Sequence, residues 1–290
     1  MRLACIDIGS NTTRLLVADC ALRKLTEVHQ ERAFTRIGRG LTVAGTLTDG
    51  KIAEVVAVVT AQLAIAADLG ATGVVGVATA AVRRAANGAH LVDEIRRATG
   101  LEVQILAGKE EARLAFVGAA ATLEGDPGGD LGVVDVGGGS TELVVGAVPD
   151  AVRWWTSLEL GSGGLAEQYL CSDPPSAREL AGARDQIRGA LAGLRPPPTT
   201  LVVAVGGSAT SLARLAGPVL DRLALGRALS VLCAAPASKV GPRFAIDPQR
   251  ARLLPAGLLV LEGVASLVGA PLRVGRGGIR EGVLLEALSQ

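Results

Sequence analysis

The sequence predicts an α/β protein of two similar domains, each built from a mixed sheet flanked by helices. Strand-like segments alternate along the chain with segments of helical periodicity, as in sheets covered by helices. The 290 residues are enough for two domains of ordinary size. A motif also occurs twice, because residues 6–17 align with residues 134–145 without a gap, and both copies read strand, Asp-x-Gly, small polar loop and strand. Two such domains that face each other place the loops on opposite walls of one cleft.

The first domain is predicted to span residues 1–125. Its helical periodicity is clearest where Ile52, Val55, Val59 and Leu63 recur at helical spacing. The other elements follow from apolar runs bounded by turn residues. Strands are predicted at 3–8, 14–20, 27–37, 74–77 and 102–106, and helices at 50–69, 90–99 and 109–123.

The second domain is predicted to span residues 126–278, after a linker of loop-forming residues at 125–130. Strands are predicted at 131–136, 142–145, 153–158 and 201–205, and helices at 165–170, 177–194, 208–215 and 253–268. The terminal helix, predicted within residues 279–290, is expected to pack back on the first domain.

Composition argues against several classes of protein. Aromatic residues make up 2% of the chain, so a stacking surface for bases is hard to build, and the net charge of +1 excludes a strongly basic body. We therefore expect no nucleic-acid partner.

The four cysteines are scattered and the chain has two histidines, which argues against a zinc site or disulfide framework and fits a reducing cytoplasm. No uncharged apolar run approaches the length of a membrane span, so we expect no membrane partner.

The two repeated loops are candidates for binding phosphate. Glycine and small hydroxyl residues let backbone N–H groups converge on an anion, and a carboxylate at the end of the preceding strand, Asp7 or Asp135, can hold a divalent cation. The alternative is that each loop is only a tight hairpin turn, but two matched copies favour phosphate binding. The candidate phosphate-binding residues are Gly9, Ser10, Asn11 and Thr12 in the first copy and Gly137, Gly138, Gly139, Ser140 and Thr141 in the second.

A third glycine-rich turn, Gly206-Gly207-Ser208, leads from a predicted strand into a helix. Helix N-termini attract anions through their free N–H groups and the helix dipole. The alternative is a dinucleotide-binding fingerprint, which fails because the spacing Gly-x-Gly-x-x-Gly is absent. These three residues are therefore added to the candidate phosphate-binding set.

Charged residues near the ends of predicted elements supply candidates for catalysis. Glu110 and Glu111 lie in the first turn of a helix, where acidic residues also simply complement the helix dipole. The functional interpretation is that one of them activates water. Adjacent helix residues point about 100° apart, and Glu110 shares a face with Arg113, so Glu111 is the better candidate. Arg83 follows a strand end, where α/β folds gather ligand groups, although it also fits ordinary surface charge.

Five motifs occur in order from the N-terminus towards the terminal helix. They are Asp7-x-Gly9-Ser10-Asn11-Thr12, Thr79-x-Ala81-x-Arg83-x-Ala85-x-Asn87, Gly108-x-Glu110-Glu111-Ala112, Asp135-x-Gly137-Gly138-Gly139-Ser140-Thr141-Glu142 and Gly206-Gly207-Ser208. Together they resemble the exopolyphosphatase / guanosine pentaphosphate phosphohydrolase (Ppx/GppA) family in its short two-domain form. The resemblance implies two actin-like (ribonuclease H-like) domains.

The resemblance also implies a phosphohydrolase that releases terminal orthophosphate from inorganic polyphosphate, guanosine pentaphosphate or both, and hence a link to the stringent response. Glu111 matches the family's carboxylate that acts as base on water, and Arg83 matches a phosphate-binding arginine. Asp135 and Glu142 match the Mg²⁺ region, with Asp7 opposite, and Mn²⁺ is the alternative metal. A homodimer is one assembly open to such a protein.

The sequence departs from the family pattern at two places. Many members carry Arg-Ala-Asp before the late helix, where this chain has Arg250-Ala251-Arg252. Many also have a basic or bulky residue near the segment 161–164, which here reads Gly-Ser-Gly-Gly. Both departures bear on the walls of a substrate channel and on the preferred chain length, not on the proposed carboxylates.

Two other functions stay open at this point. An ATP-dependent kinase or ATPase of the same superfamily also has two phosphate loops and a Gly-Gly-Ser motif, but the scarcity of aromatic residues and the lack of an evident adenine site count against it. A non-catalytic sensor of alarmone nucleotides is expected to have lost a carboxylate. Asp7, Glu111, Asp135 and Glu142 are all present, which favours the hydrolase.

Overall fold

The computed structural model describes residues 1–21 and 24–288. The chain forms two compact units. The first unit comprises Met1–Ala121 together with the C-terminal residues from Gly278, and the second comprises Thr122–Gly277. Each unit has a mixed sheet of its own and is described separately.

The first unit is built on a five-stranded sheet in the order β3-β2-β1-β4-β5. Its strands are β1 (Arg2–Ile8), β2 (Thr13–Ala21), β3 (Lys24–Ala33), β4 (Gly73–Ala78) and β5 (Val103–Ile105). Its first four helices are α1 (Asp49–Asp68), α2 (Ala80–Arg84), α3 (Gly88–Thr99) and α4 (Gly108–Ala121). β1 pairs antiparallel with β2 and parallel with β4, so the sheet is mixed.

The side chains of β1 alternate between two cores, and this alternation sets the direction of Asp7. Ile6 and Ile8 are buried together with residues of α1 and α3. Cys5 is buried on the other face, together with Leu114 of α4. Because successive side chains of a strand point to opposite faces, Asp7 lies on the α4 face, near the carboxyl end of β1.

The second unit is built on a six-stranded sheet in the order β10-β11-β9-β6-β7-β8. Its strands are β6 (Leu131–Val136), β7 (Thr141–Ala147), β8 (Ala151–Leu158), β9 (Leu201–Val205), β10 (Val219–Leu220) and β11 (Leu272–Val274). Its helices are α5 (Ser162–Tyr169), α6 (Ala177–Leu191), α7 (Gly206–Ala216), α8 (Arg222–Leu232), α9 (Ala237–Arg243), α10 (Pro248–Ala251) and α11 (Leu254–Val268).

One face of the second sheet carries the main core of that unit. Val134 and Val136 of β6 and Leu143 of β7 are buried there against helices that include α5, α6, α7 and α11. Asp135 and Glu142 alternate with these residues, so both carboxylates point to the opposite face.

The terminal helix α12 (Ile279–Ala287) packs against α4 within the first unit. A Cβ atom added to Gly118 of α4 would lie 2.0 Å from the carbonyl oxygen of Gly278, and one added to Gly282 would lie 2.1 Å from that of Leu114. Glycine at these positions lets the two backbones approach. An ion pair between Arg113 of α4 and Glu286 of α12 also joins the two helices at the surface.

The structure differs from the sequence-based prediction after the third strand. The prediction extends that strand to residue 37, but β3 ends at Ala33 and a 3₁₀ turn spans Ile37–Gly40. The reason is that Arg36 adopts a left-handed backbone conformation, which no strand continues through. The elements α2, α8, α9, α10, β10 and β11 were not predicted, since most are too short for periodicity to show.

Among the described residues, α1 is the one helix long and apolar enough to cross a membrane by length and composition. Core helices of globular proteins pass the same test, so the finding carries little weight alone. Four of its side chains, Ile52, Val55, Val59 and Ala66, are buried in the core of the first unit.

Candidate active site

The two repeated loops form the same backbone turn. In the first unit the N–H of Gly9 donates to the carbonyl of Thr12 over 3.0 Å, and in the second the N–H of Gly137 donates to the carbonyl of Ser140 over 3.0 Å. A Cβ atom on Gly9 would lie 3.0 Å from the Thr12 oxygen, so glycine keeps the turn tight. The repeat therefore extends from the residue types to the hydrogen bonds.

The loop of the second unit is held from behind by the first turn of α5. The N–H groups of Ser162 and Gly163 donate to the carbonyls of Gly137 and Gly138, each over 2.9 Å. The C=O and N–H of a planar trans peptide point in opposite directions. The N–H groups of Gly138 and Gly139 therefore point away from α5, and neighbouring amides that face one way form an anion-binding nest.

The segment 161–164 is thus a support for this loop. A Cβ atom on Gly161 would lie 2.4 Å from backbone atoms of Gly138 and Gly139, so no larger residue fits without displacing the loop. At the other end of α5, the guanidinium of Arg252 donates to the carbonyls of Leu170 and Cys171. Both departures from the family pattern therefore bear on the placement of α5.

The loop of the first unit is supported in the same way by the segment that follows β3. The N–H of Gly38 donates to the carbonyl of Ser10 over 2.8 Å, and the N–H of Arg36 donates to the carbonyl of Asn11 over 3.0 Å. By the same reasoning the N–H groups of Asn11 and Thr12 point away from this support.

Several buried polar atoms at the first loop call for a ligand. Ser10 Oγ, Asn11 Nδ2 and Asp7 Oδ1 have no hydrogen-bond partner among the described residues. A buried polar atom without a partner costs free energy, so native proteins rarely leave one. Burial raises the pKa of Asp7, and the guanidinium groups of Arg280 and Arg14 oppose that shift.

The residue opposite the loop aspartate differs in charge between the two units. Asp7 of β1 is paired with Arg14 of β2, whereas Asp135 of β6 is paired with Glu142 of β7. Residues directly opposite each other on antiparallel strands lie side by side on one face. The first unit therefore sets a cation beside its aspartate, while the second sets two carboxylates together, with Ser157 Oγ donating to Glu142 over 2.8 Å.

The carboxylate pair of the second unit fits a hard divalent cation. Mg²⁺ takes oxygen ligands and usually keeps several waters, so it binds through one or two carboxylates plus phosphate oxygens. Asp135 and Glu142 are 8% and 2% exposed, and such burial of two like charges favours a bound cation. The described part of the chain contains no group of three or more metal-ligating side chains. The third predicted ligand, Asp7, belongs to the first unit.

The turn into α7 lies against the same carboxylate. Gly206 has a φ of +82°, and a Cβ atom on it would lie 2.2 Å from Asp135 Oδ1. A Cβ atom on Gly207 would lie 2.3 Å from a guanidinium nitrogen of Arg250, which is itself buried. The start of α7 is therefore placed between an acidic and a basic side chain, and both glycines are required for that packing.

Two predicted phosphate-binding side chains are directed elsewhere. The hydroxyl of Thr141 donates to the carbonyl of Leu160. The hydroxyl of Ser208 lies 2.6 Å from where a Cβ atom of Gly257 would stand, so it faces α11. The Thr141 hydroxyl is therefore engaged, whereas the buried hydroxyl of Ser208 has no hydrogen-bond partner among the described residues.

Glu111 and Arg83, the two predicted catalytic residues, form an ion pair in the first unit. Glu111 is 2% exposed, on the first turn of α4. Arg83 Nη1 donates to Glu111 Oε1 and, over 2.6 Å, to the carbonyl of Leu106. The structure thus gives Arg83 a contact that was not predicted, with the carboxylate itself.

Glu110 lies on another face of α4. Its Oε2 accepts from Arg113 Nε over 3.0 Å and its Oε1 from Arg113 Nη2 over 2.6 Å, which is the pairing predicted from the spacing. These hydrogen bonds lower the pKa of Glu110. Glu110 is therefore paired with Arg113 at the surface of the first unit, while Glu111 is buried.

The sequence analysis did not include four arginines among the candidate site residues, although the structure places them in or beside these clusters. Arg280 is buried, with Nη1 3.4 Å from the carbonyl of Leu15, and it acts on the charge of Asp7. Arg14 could have been found from the repeat, since it aligns with Glu142. No local pattern marks Arg36, and Arg250 was noted only as part of the motif Arg250-Ala251-Arg252.

Comparison with known proteins identifies the family. A model described as the Ppx/GppA phosphatase family matches residues 16–218. The chain belongs to this family. Exopolyphosphatase 1 of Mycobacterium tuberculosis is 31% identical, over 99% of this chain and 88% of its own length. Exopolyphosphatase 2 of the same organism is 36% identical, over 74% of this chain and 70% of its own.

Solved structures agree with this assignment. The crystal structure of the Ppx/GppA family member from Aquifex aeolicus superimposes with a TM-score of 0.83 at 29% identity, covering 100% of this chain and 98% of that one. The predicted family and the predicted fold class, mixed sheets flanked by helices in the actin-like class, are both confirmed. As a Ppx/GppA protein, the chain is a phosphoanhydride hydrolase. Enzymes of this family are generally dependent on a divalent metal.

Proposed function

We propose that this Ppx/GppA phosphatase releases terminal orthophosphate from inorganic polyphosphate with the assistance of Mg²⁺. One observation carries the proposal: in the second unit the loop with outward amides lies directly between the strands that bear the paired carboxylates Asp135 and Glu142. A phosphate and its metal need these two kinds of group side by side. The relatives named exopolyphosphatases support inorganic polyphosphate as the substrate.

The second unit binds and neutralises the phosphate. The N–H groups of Gly138 and Gly139 donate to phosphate oxygens, and their direction is fixed in advance by α5. Asp135 and Glu142 hold Mg²⁺, which when bound offsets the charge on the phosphate oxygens. The N-terminus of α7 adds donors close to Asp135.

The first unit supplies the base. Glu111 accepts a proton from the attacking water. Arg83 fixes the carboxylate of Glu111 through Nη1, and its remaining N–H donors are suited to phosphate oxygens. The loop of Ser10, Asn11 and Thr12 contributes amides and the two polar side-chain atoms that have no partner in the described structure.

Guanosine pentaphosphate is the second candidate substrate, because it presents the same terminal phosphoanhydride. The observation behind it is the family description, which covers both activities. The proposed chemistry is the same for either substrate. The difference lies in how the rest of the substrate is bound.

A side-by-side assay tests the proposal. Orthophosphate release is measured on tripolyphosphate, long-chain polyphosphate and guanosine pentaphosphate, with Mg²⁺ and without ATP. We expect release from at least one polyphosphate and its loss in Glu111→Gln. Release from guanosine pentaphosphate alone would move the proposal to that substrate, and release from none of the three would overturn it.

A further inference from the structure

The segment after β3 holds an arginine in an unusual backbone conformation. Arg36 has a φ of 46° and a ψ of 46°, in the left-handed region. Among the residues described, Arg36 and Ala245 are the two non-glycine residues with positive φ. Such residues are uncommon, and when their surroundings impose the conformation they often lie at binding sites.

Several hydrogen bonds impose this conformation on Arg36. Its N–H donates to the carbonyl of Asn11 in the first phosphate loop over 3.0 Å. The preceding residue, Thr35, is buried and shares a 3.0 Å hydrogen bond with the hydroxyl of Thr13. Lys51 Nζ donates to the carbonyl of Thr35 over 2.9 Å. The backbone of Arg36 is therefore fixed directly behind the loop.

The guanidinium of Arg36 differs from those of Arg32 and Arg39 in having no described contact. The structure describes no hydrogen bond, ion pair or ring contact for its guanidinium, which is partly exposed. The guanidinium of Arg32 lies over the ring of Phe34 at 5.0 Å, and Arg39 has a partner. A guanidinium offers five N–H donors in a planar fork that matches phosphate. Arg36 therefore carries an unengaged guanidinium on a backbone that is hydrogen-bonded to the proposed phosphate loop.

We propose that Arg36 contacts the substrate at a phosphate next to the terminal one and so determines the preference for chains over single phosphates. This inference rests on the proposed function, because it assumes that the loop of Ser10, Asn11 and Thr12 takes part in binding the phosphates of the substrate. The backbone N–H of Arg36 orients the loop from behind, and in this proposal its long side chain extends past the loop to the side that the loop amides face. Orthophosphate has no second phosphate, so its binding does not use Arg36.

The backbone conformation gives a clean experiment. Glycine adopts the left-handed region without strain, so Arg36→Gly removes the guanidinium and keeps the fold. Ala245→Gly makes the same kind of backbone change in the second unit and is the matched control. Arg36→Lys keeps a positive charge without the planar fork. Binding of tripolyphosphate and of orthophosphate is measured by calorimetry without metal, alongside steady-state hydrolysis with Mg²⁺.

We expect Arg36→Gly to weaken tripolyphosphate binding and to raise KM by about tenfold or more, as for loss of a hydrogen bond to a charged group. Orthophosphate binding, kcat and thermal stability should change little. Arg36→Lys should bind tripolyphosphate with an affinity between those of Arg36→Gly and the parent protein. Ala245→Gly should match the parent protein in tripolyphosphate binding and in KM. Equal tripolyphosphate binding by the parent and Arg36→Gly overturns the role of Arg36, as does a parent that binds no tripolyphosphate. A parent that binds tripolyphosphate through Arg36 without hydrolysing it overturns the proposed function but not this inference.

Discussion

The guanidinium of Arg83 holds the carboxylate of Glu111 and the carbonyl of Leu106 with the same nitrogen. The carboxylate of Glu111 is thereby fixed in direction by a cationic neighbour, although it is almost fully buried. A base that works on water needs a fixed direction, since its geometry decides whether it reaches the proton. The neighbouring Glu110 has neither burial nor this contact.

The first prediction separates these two glutamates. We expect Glu111→Gln to lower kcat by about 10²–10⁴-fold, the range for loss of a general base, while binding of the substrate survives. Glu110→Gln is the matched control. We expect it to lower kcat by less than about threefold, because it removes only a partly exposed ion pair with Arg113. Steady-state phosphate release gives kcat, and calorimetry gives binding. An inactive Glu110→Gln beside an active Glu111→Gln would show that the base is wrongly assigned.

The second prediction concerns the metal. Asp135→Asn should raise the Mg²⁺ concentration needed for half-maximal activity and weaken Mn²⁺ binding followed by electron paramagnetic resonance. Ser157→Ala removes the hydroxyl that orients Glu142 and should weaken metal binding by about 10–100-fold, as for other residues that hold a metal ligand in place. The control is Asp130→Asn, which breaks an exposed ion pair with Arg153 in the same unit.

Full activity after exhaustive chelation, or unchanged Mn²⁺ binding in Asp135→Asn, would contradict the proposed metal site.

The third prediction tests the support of the second phosphate loop. Gly161→Ala places a Cβ atom 2.4 Å from the backbone of Gly138, so it should displace the loop amides and lower kcat/KM by about 10²-fold or more. Gly164→Ala is the control one turn later, where an added Cβ meets no atom within 4 Å. Equal activity of the two variants would mean that the direction of the loop amides does not depend on α5.

The fourth prediction is a pH dependence of stability from α6. Glu179 accepts hydrogen bonds from the N–H groups of Ser176 and Ser172, which lower its pKa from 4.5 to about 2. A carboxyl whose pKa is lower in the folded state stabilises the fold above its unfolded pKa. That contribution is lost as the pH falls from about 4.5 towards about 2.

Glu179→Gln should therefore be less stable than the parent at neutral pH and approach it at about pH 2. The check is urea unfolding over this range, with the exposed residue Glu124 changed to Gln as the control. A constant difference between Glu179→Gln and the parent at every pH would rule out the titration of Glu179 as the cause.

The parts of the site that follow local sequence rules could be predicted. The Asp-x-Gly loops were found because a repeat without gaps preserves both the residue types and the strand alternation. The pairing of Glu110 with Arg113 follows from helical spacing alone. In each case the determining residues are close together in the sequence.

Features that depend on distant segments could not be predicted. The amides that support Gly137 and Gly138 come from α5, some 25 residues later in the chain. The contact between Arg83 and Glu111 joins residues 28 positions apart. The left-handed conformation of Arg36 arises from tertiary hydrogen bonds, since arginine has no local preference for it. Such contacts appear only once the strands are placed in the sheet.

The origin of the oxygen in the released phosphate tests the central claim most directly. The purified chain is incubated with Mg²⁺ and polyphosphate in ¹⁸O-labelled water without any nucleotide, and the orthophosphate is analysed by mass spectrometry. We predict that each orthophosphate released from a chain end carries one labelled oxygen, as in-line attack of water on the terminal phosphorus requires. In a parallel incubation with ADP, polyphosphate consumption that yields ATP and no labelled orthophosphate would indicate a kinase. Binding of polyphosphate without any release would indicate a sensor, and either result would contradict the proposed function.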